Sequence, residues 1–381
     1  MTSNKSFLFP AEPTRFSAED LDEVLAFCEG HQTSDITLQT GDPIYAEIFG
    51  RLYPITTRRL SDPEVGEMLN YIYGPNGTAQ VLSGIDVDTY YEFRPNRFER
   101  YRYRVNATGV QVEGNSGIQL TLRSIPTTPP PLKELGLPQQ ILESFAPPDG
   151  VVYVTGATGS GKSTLLASMI RQIIEDPNGN RKVCTYEAPI EFVYDAITKP
   201  SSVVGQSEIP RDLPSFAMGV RNALRRKPGL ILVGEARDQE TMAAVLEASL
   251  TGHPVYTTLH TTGVAETMRR LVNTFPAGER LARTIDILET VRLIVWQKLV
   301  PSRDGKRVAL REFLVFNEAV RDQLLATDPL KITSATRALV RSQGQLMIDD
   351  ATQKYQAGLI DGRTYQILLA GSKRADADAT H

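Results

Sequence analysis

The run Gly156-Ala157-Thr158-Gly159-Ser160-Gly161-Lys162-Ser163 constrains this chain more than any other stretch. It fits G-x-x-x-x-G-K-[ST], a pattern whose glycines let successive backbone N–H groups turn toward one anion. Its flanks agree: the apolar run VVYVT precedes it and the amphipathic run TLLASMIRQII follows. That strand–loop–helix order brings the positive end of a helix dipole to the same point. A glycine-rich turn with an incidental lysine is the bland alternative, and the agreement of pattern with flanks outweighs it. Gly156, Ala157, Thr158, Gly159, Ser160, Gly161, Lys162, Ser163 and Thr164 are therefore the candidate nucleotide-binding residues. Lys162 is expected to reach the β- and γ-phosphates and the Ser163 hydroxyl to ligate Mg²⁺. No Asn-Lys-x-Asp element for reading guanine follows, which points to ATP.

Around the loop, apolar strands alternate with helical stretches: Val151–Thr155, a helix over 164–174, Val183–Glu187, Leu230–Val233, a helix over 239–250, and Val255–Leu259. This alternation predicts an α/β domain with a mostly parallel, doubly wound sheet. Residues 277–298 and 332–370 read as helices. Upstream the period changes. Ser17-Ala18-Glu19-Asp20 resembles a helix start, with Leu21, Val24, Leu25 and Cys28 at helical spacing. From Ile36 to Ile55, and from Tyr90 to Ile125, side chains alternate. Tyr101, Tyr103, Val105 and Ala107 share one face; Arg100, Arg102, Arg104 and Asn106 share the other. A small α+β domain is expected there. Between the two regions, residues 126–131 hold four prolines, which suit neither a helix interior nor a central strand and favour an extended spacer. The expected organisation is an arm over 1–16, a small domain over 17–125, a prolyl linker over 126–137, a nucleotide-binding domain over 138–370 and a frayed tail over 371–381.

Strand ends supply the candidate chemistry, since ligands of open α/β sheets bind beyond the carboxyl ends of the strands. Leu230-Ile231-Leu232-Val233-Gly234-Glu235 is an apolar strand ending in a carboxylate, the Walker B pattern, in which Glu235 orders Mg²⁺ or its water. Alone it reads as a core strand entering solvent; beside the phosphate loop the functional reading is preferred. In Tyr186-Glu187-Ala188-Pro189, the proline stops regular pairing and leaves Glu187 at the strand's edge, a candidate to position an attacking water or else a solvated loop carboxylate. His260 follows the third strand and can sense the γ-phosphate. His253 precedes that strand and is the weaker candidate. If the sheet reading is right, the loop, Glu187, Glu235 and His260 converge.

A formal net charge of −4 argues against electrostatic attraction of the whole molecule to nucleic acid or anionic lipid. The local run Arg221, Arg225, Arg226 and Lys227 keeps a local contact open. Cys28 and Cys184 are the only cysteines, far apart and without metal-ligand spacing, so neither a disulfide framework nor a zinc site is indicated. A reduced, cytoplasmic setting fits. No signal peptide or membrane span is visible, so membrane association is expected only through partners.

Taken together these motifs resemble the type II/IV secretion ATPases. The phosphate loop is similar to that family's GPTGSGKST, TYEAPIEFVYD to its Asp box, RRKPGLILVGEARDQET to its Walker B region and TGHPVYTTLHTTGVAET to its His box. Upstream, SDITLQTGDPIYAEIFGRLYPI, RYRVNATG and RSIPTTPPPLKELGLP resemble its opening, its "RFRVN" strand and its linker. The resemblance covers about residues 20–370. It implies a PAS-like N-terminal domain, a RecA-like P-loop ATPase domain, and a homo-hexameric ring with Mg-ATP bound between the two domains. It also nominates Arg104 and Arg123, and after them Arg102, as arginines that reach the γ-phosphate; from alternation alone they read as a solvated strand face. Two departures stand out. Ala188 replaces the Asp of the usual Glu-Asp-Pro, and Gly229 replaces an acidic residue often found before Walker B. The variant box resembles the Dot/Icm-type IVB secretion ATPase and its IncI-type conjugation relatives.

The expected function is an ATPase motor working with inner-membrane components of a secretion or conjugation machine, the prolyl linker acting as hinge. The catalytic set is Glu187, Glu235, His260, Arg104 and Arg123, with Ser163 and Glu235 at the metal; which glutamate is the base stays open. The alternatives are a pilus retraction motor, a RecA-like protein that threads DNA directly, and a ring scaffold that binds ATP without hydrolysing it. The acidic pI of about 5.8 and the lack of an aromatic-basic strand array weigh against direct nucleic-acid contact.

Overall fold

Alternating side chains in the first third and near-continuous apolar strands in the remainder produce two different sheets, in two compact units that meet in the sequence at Thr127–Thr128. The computed structural model describes residues 7–31, 33–97, 99–125 and 127–378, with backbone alone from 373. Residues 1–6 of the expected arm, Pro126 of the linker and residues 379–381 of the tail lie outside the described residues.

In the first unit, strands β1 (Thr33–Gln39), β2 (Tyr45–Ile48), β3 (Arg51–Pro54), β4 (Val87–Phe93), β5 (Tyr101–Val112) and β6 (Asn115–Ser124) form one sheet in the order β3-β2-β1-β6-β5-β4. Every pairing is antiparallel. Period-2 alternation buries Ile36, Leu38, Val105, Ala107, Leu120 and Leu122 in a core shared with Leu21, Val24 and Leu25 of helix Asp20–Glu29 and Val65, Met68 and Leu69 of helix Asp62–Tyr73. The segment read as an arm contributes too, since Phe9 and Phe16 are buried in that core.

The second unit holds β7 (Gly150–Thr155), β8 (Lys182–Glu187), β9 (Val203–Glu208), β10 (Leu230–Val233), β11 (Pro254–Leu259), β12 (Val291–Pro301) and β13 (Arg307–Val315), ordered β13-β12-β7-β11-β10-β8-β9. All neighbours run parallel except the β12–β13 pair, so this is the mostly parallel α/β sheet expected from the strand–helix alternation. Helices cover both faces, which is why the central strands are apolar at nearly every position. Val151 and Tyr153 face one core and Val152 and Val154 the other, where Leu165, Leu166, Met169, Ile170, Ile173 and Ile174 of helix Lys162–Glu175 pack. Each such side chain contributes about 1.5–3 kcal/mol when fully buried.

Two expectations are corrected. The helix read over 277–298 ends at Thr290, and Val291 begins β12 beside β7. The run VRLIVWQKLV is buried on both faces in its first half, and a doubly buried strand carries no period that separates it from a buried helix. Its β-branched valines and isoleucine were the better guide. The stretch 332–370 divides into helices Ile332–Gln343, Met347–Gln356 and the start of Gly362–Asp378, and this last helix corrects the expected frayed tail by continuing through residues 371–378. No helix of the described residues is long and apolar enough to cross a membrane.

Candidate phosphate-binding site

β7 ends at Thr155, and the chain turns through Gly156 (φ 144°), Gly159 (φ 73°) and Gly161 (φ 82°) into helix Lys162–Glu175. These left-handed dihedrals are open to glycine and strained for other residues. Lys162 is 8% exposed, and its Nζ donates to the carbonyls of Gly156 (2.9 Å) and Ala157 (2.8 Å). Burial lowers its pKa, against the attraction of Glu235 and Glu191. A buried ammonium bonded to neutral carbonyls retains charge that an anion would compensate. The Ser160 Oγ is also buried with no hydrogen-bond partner among the described residues. Both features fit a phosphate seated in this loop.

Two carboxylates and an imidazole share the loop's edge of the sheet. Val233 pairs with Tyr186 on one side and Thr257 on the other, and Leu259 pairs with Thr155. The carboxyl ends of β7, β8, β10 and β11 therefore lie side by side. Glu187 is the last residue of β8, where Thr185 Oγ1 (2.7 Å) and Gln206 Nε2 (3.3 Å) donate to its Oε1. Beyond β10, the Gly234 N–H donates to the Tyr186 carbonyl at 2.8 Å. Glu235 follows, its Oε1 3.6 Å from His260 Nε2. His260 stands just past Leu259, whose carbonyl accepts the Gly156 N–H at 3.2 Å. Among the described residues no group of three or more His, Cys, Asp or Glu is arranged to hold a metal. Mg²⁺ is commonly held by one or two protein oxygens together with substrate phosphates and water, and Ser163 and Glu235 carry oxygens that could serve in that way.

The remaining sequence candidates separate. His253 sits at the opposite end of β11 from His260, with Nδ1 3.1 Å from the Ala248 carbonyl and 3.2 Å from Thr251 Oγ1, closing the end of helix Gln239–Leu250. That is a capping role. Asp238 likewise caps the start of this helix, accepting from the Thr241 N–H at 2.8 Å. Arg104 and Arg123 lie in the first unit and are directly opposite each other on β5 and β6. Arg104 makes a two-pronged pair with Asp88 (3.2 and 2.7 Å), and Arg123 Nε lies 2.8 Å from Asp35. Arg102 is buried, 3.5 Å from Glu92 and over the Tyr90 ring.

Sequence reasoning missed two residues of this site. Glu191 acts electrostatically on Lys162, and its signal was its place four positions beyond Glu187. Gln297 donates from Nε2 to the Ser160 carbonyl at 2.7 Å; it lay in the stretch read as helix.

A model of the type II/IV secretion system protein family matches residues 116–312, more than half of the chain. The chain belongs to this family. Among solved structures it is similar to the Legionella pneumophila ATPase DotB, with 64% identity, a TM-score of 0.86, and coverage of 96% of this chain and 99% of that one. It is also similar to the pilus retraction motor PilT with bound ADP, at 32% identity and a TM-score of 0.76 over 90% of this chain and 94% of that one. A twitching motility protein of Neisseria gonorrhoeae is 37% identical over 339 residues, 86% of each chain. The RecA-like fold expected of the second unit is that of these secretion and retraction ATPases.

Proposed function

We propose that this chain is the ATPase subunit of a cytoplasmic homo-hexameric motor that hydrolyses Mg-ATP to power a type IVB secretion or conjugative transfer machine at the inner membrane. What carries the reading is the single sheet edge bearing the phosphate loop, Glu187, Glu235 and His260, in a chain 64% identical to a Legionella pneumophila ATPase. Bound Mg-ATP supplies the transferable phosphoryl group and a cation that offsets its charge. Gly156 to Thr164 hold the phosphates, and Lys162 directs its buried ammonium at them. Ser163 and Glu235 hold Mg²⁺. Glu187 orients water, with its carboxylate fixed by Thr185 and Gln206; His260, beside Glu235, reports on the γ-phosphate. Arg104 and Arg123 supply guanidinium groups that offset charge developing on the transferring phosphoryl. The working partners are other copies of this chain and inner-membrane components of the machine, with no direct nucleic-acid contact.

Replacing Lys162 by Ala removes the buried cation, and steady-state phosphate release is expected to fall at least ~100-fold. Turnover near the wild-type rate in purified K162A protein would overturn the assignment of this loop. Similarity to PilT and to the twitching motility protein favours a second reading, a pilus retraction motor, at roughly half the identity found with DotB. Capture from a membrane extract separates the two: secretion or conjugation components support the first, and pilus-platform proteins the second.

A further inference from the structure

The back of the phosphate loop is built by a residue outside the loop motif. Gln297 on β12 touches the loop at three points. Its Nε2 donates to the Ser160 carbonyl at 2.7 Å. A Cβ on Gly161 would stand 2.9 Å from that Nε2, and a Cβ on Gly156 would stand 2.3 Å from the Gln297 carbonyl. Two of the motif's glycines are thus the positions at which Gln297 presses on the backbone. Gln297 and Arg311 are 3% and 2% exposed, and Arg311 Nε donates to Gln297 Oε1 at 2.9 Å. A guanidinium has no acceptor. Arg311 therefore forces the amide oxygen toward itself and the amide N–H toward Ser160. With the Ser160 carbonyl held toward Gln297, the planar trans Ser160–Gly161 peptide has its N–H turned to the opposite side, away from β12. Arg311 is anchored in turn: its backbone N–H donates to Asp350 Oδ2 at 2.7 Å, and Lys354 Nζ bonds the same carboxylate oxygen at 2.6 Å.

We infer that Gln297 and Arg311 are positioning residues of the nucleotide site, Arg311 fixing the amide of Gln297 and Gln297 fixing the peptide plane that presents the loop's N–H groups to the phosphates. This inference rests on the phosphate-binding reading of the loop. Neither residue belongs to the catalytic set; both act through the loop.

The test compares ATP and ADP affinity and steady-state ATPase kinetics in full-length wild type, K162A, Gln297→Glu, Arg311→Lys and Arg311→Met. Gln297→Glu keeps the volume and the acceptor for Arg311 but replaces the donor facing Ser160 by an oxygen. The exchange leaves the Ser160 carbonyl unpaired and lowers the nucleotide-free melting temperature somewhat; at a temperature where the variant is still fully folded, ATP and ADP affinity is expected to fall roughly tenfold. Arg311→Met frees the amide to rotate and should weaken binding in the same direction, and adding it to Gln297→Glu should cost less than the sum of the two. Arg311→Lys retains a donor and should restore most of the affinity. Wild-type affinity in Gln297→Glu, or a loss confined to temperatures at which the variant begins to unfold, overturns the inference. If K162A loses affinity while Gln297→Glu does not, the positioning role alone fails; if wild type and K162A bind nucleotide equally, the phosphate-binding reading fails as well.

Discussion

Lys162 shows how little a side chain can mean without its surroundings: a buried ammonium facing two peptide carbonyls is costly until an anion arrives. Glu187 and Glu235 are more alike in sequence than in setting. Glu187 is clamped by a hydroxyl and an amide, while Glu235 faces His260 across 3.6 Å. Different losses are therefore expected on neutralising each. Glu187→Gln should lower kcat by about 100-fold or more with nucleotide affinity retained, as befits a group that orients water. Glu235→Gln should raise the Mg²⁺ concentration needed for half-maximal turnover. ATPase titrations against Mg²⁺ check both, and the reverse pattern would exchange the two roles.

At the scale of elements, the order of strands decides which ends become neighbours. β11 lies between β7 and β10, so Thr155 at the end of the loop strand, His260 and Glu235 are consecutive along one edge, although 80 residues separate Thr155 from Glu235 in the chain. In the first unit a different element is held by one carboxylate. Glu64, in the first turn of helix Asp62–Tyr73, accepts from the Ser61 N–H at 2.8 Å and from the Phe16 N–H at 2.7 Å, and pairs with Arg58. Burial alone would raise its pKa, but the bonds from Arg58, Ser61 and Phe16 outweigh that and hold it at about 2, below the ordinary 4.5. A lowered folded-state pKa stabilises above the unfolded value and stops doing so as pH falls through the folded one. The stability Glu64 lends this unit is thus expected in full above pH 4.5 and to vanish as pH falls toward 2. Glu64→Gln should cost about 2–3 kcal/mol at pH 7 and flatten that acid limb in denaturant titrations.

The whole molecule pairs an antiparallel α+β unit with a mostly parallel α/β unit, and the proposed motor joins copies of that pair. Light scattering of the purified protein with ATP is expected to give six times the chain mass of 42.1 kDa. A monomer at every nucleotide and protein concentration tested would refute the ring. A ring that forms with ATP yet shows no turnover would return the reading to a scaffold.

Sequence by itself determined the glycine-rich turn over 156–161, the strand before it and the helix after it, because a glycine pattern and an apolar or amphipathic run are local signals that need no partner. It also located Glu187, Glu235 and His260, each at the end of a strand delimited by its own composition. The shared edge was expected from the strand–helix order and the sheet bears it out; tertiary structure alone decided that His253 caps a helix at the other end of β11 and that Val291–Pro301 is a strand. It alone brought Gln297 behind Gly156 and Gly161, 136 residues from the nearer of them in the chain. No local pattern carries that pairing; it exists because β12 lies parallel to β7, and the choice of neighbouring strand is made by the packing of the whole sheet.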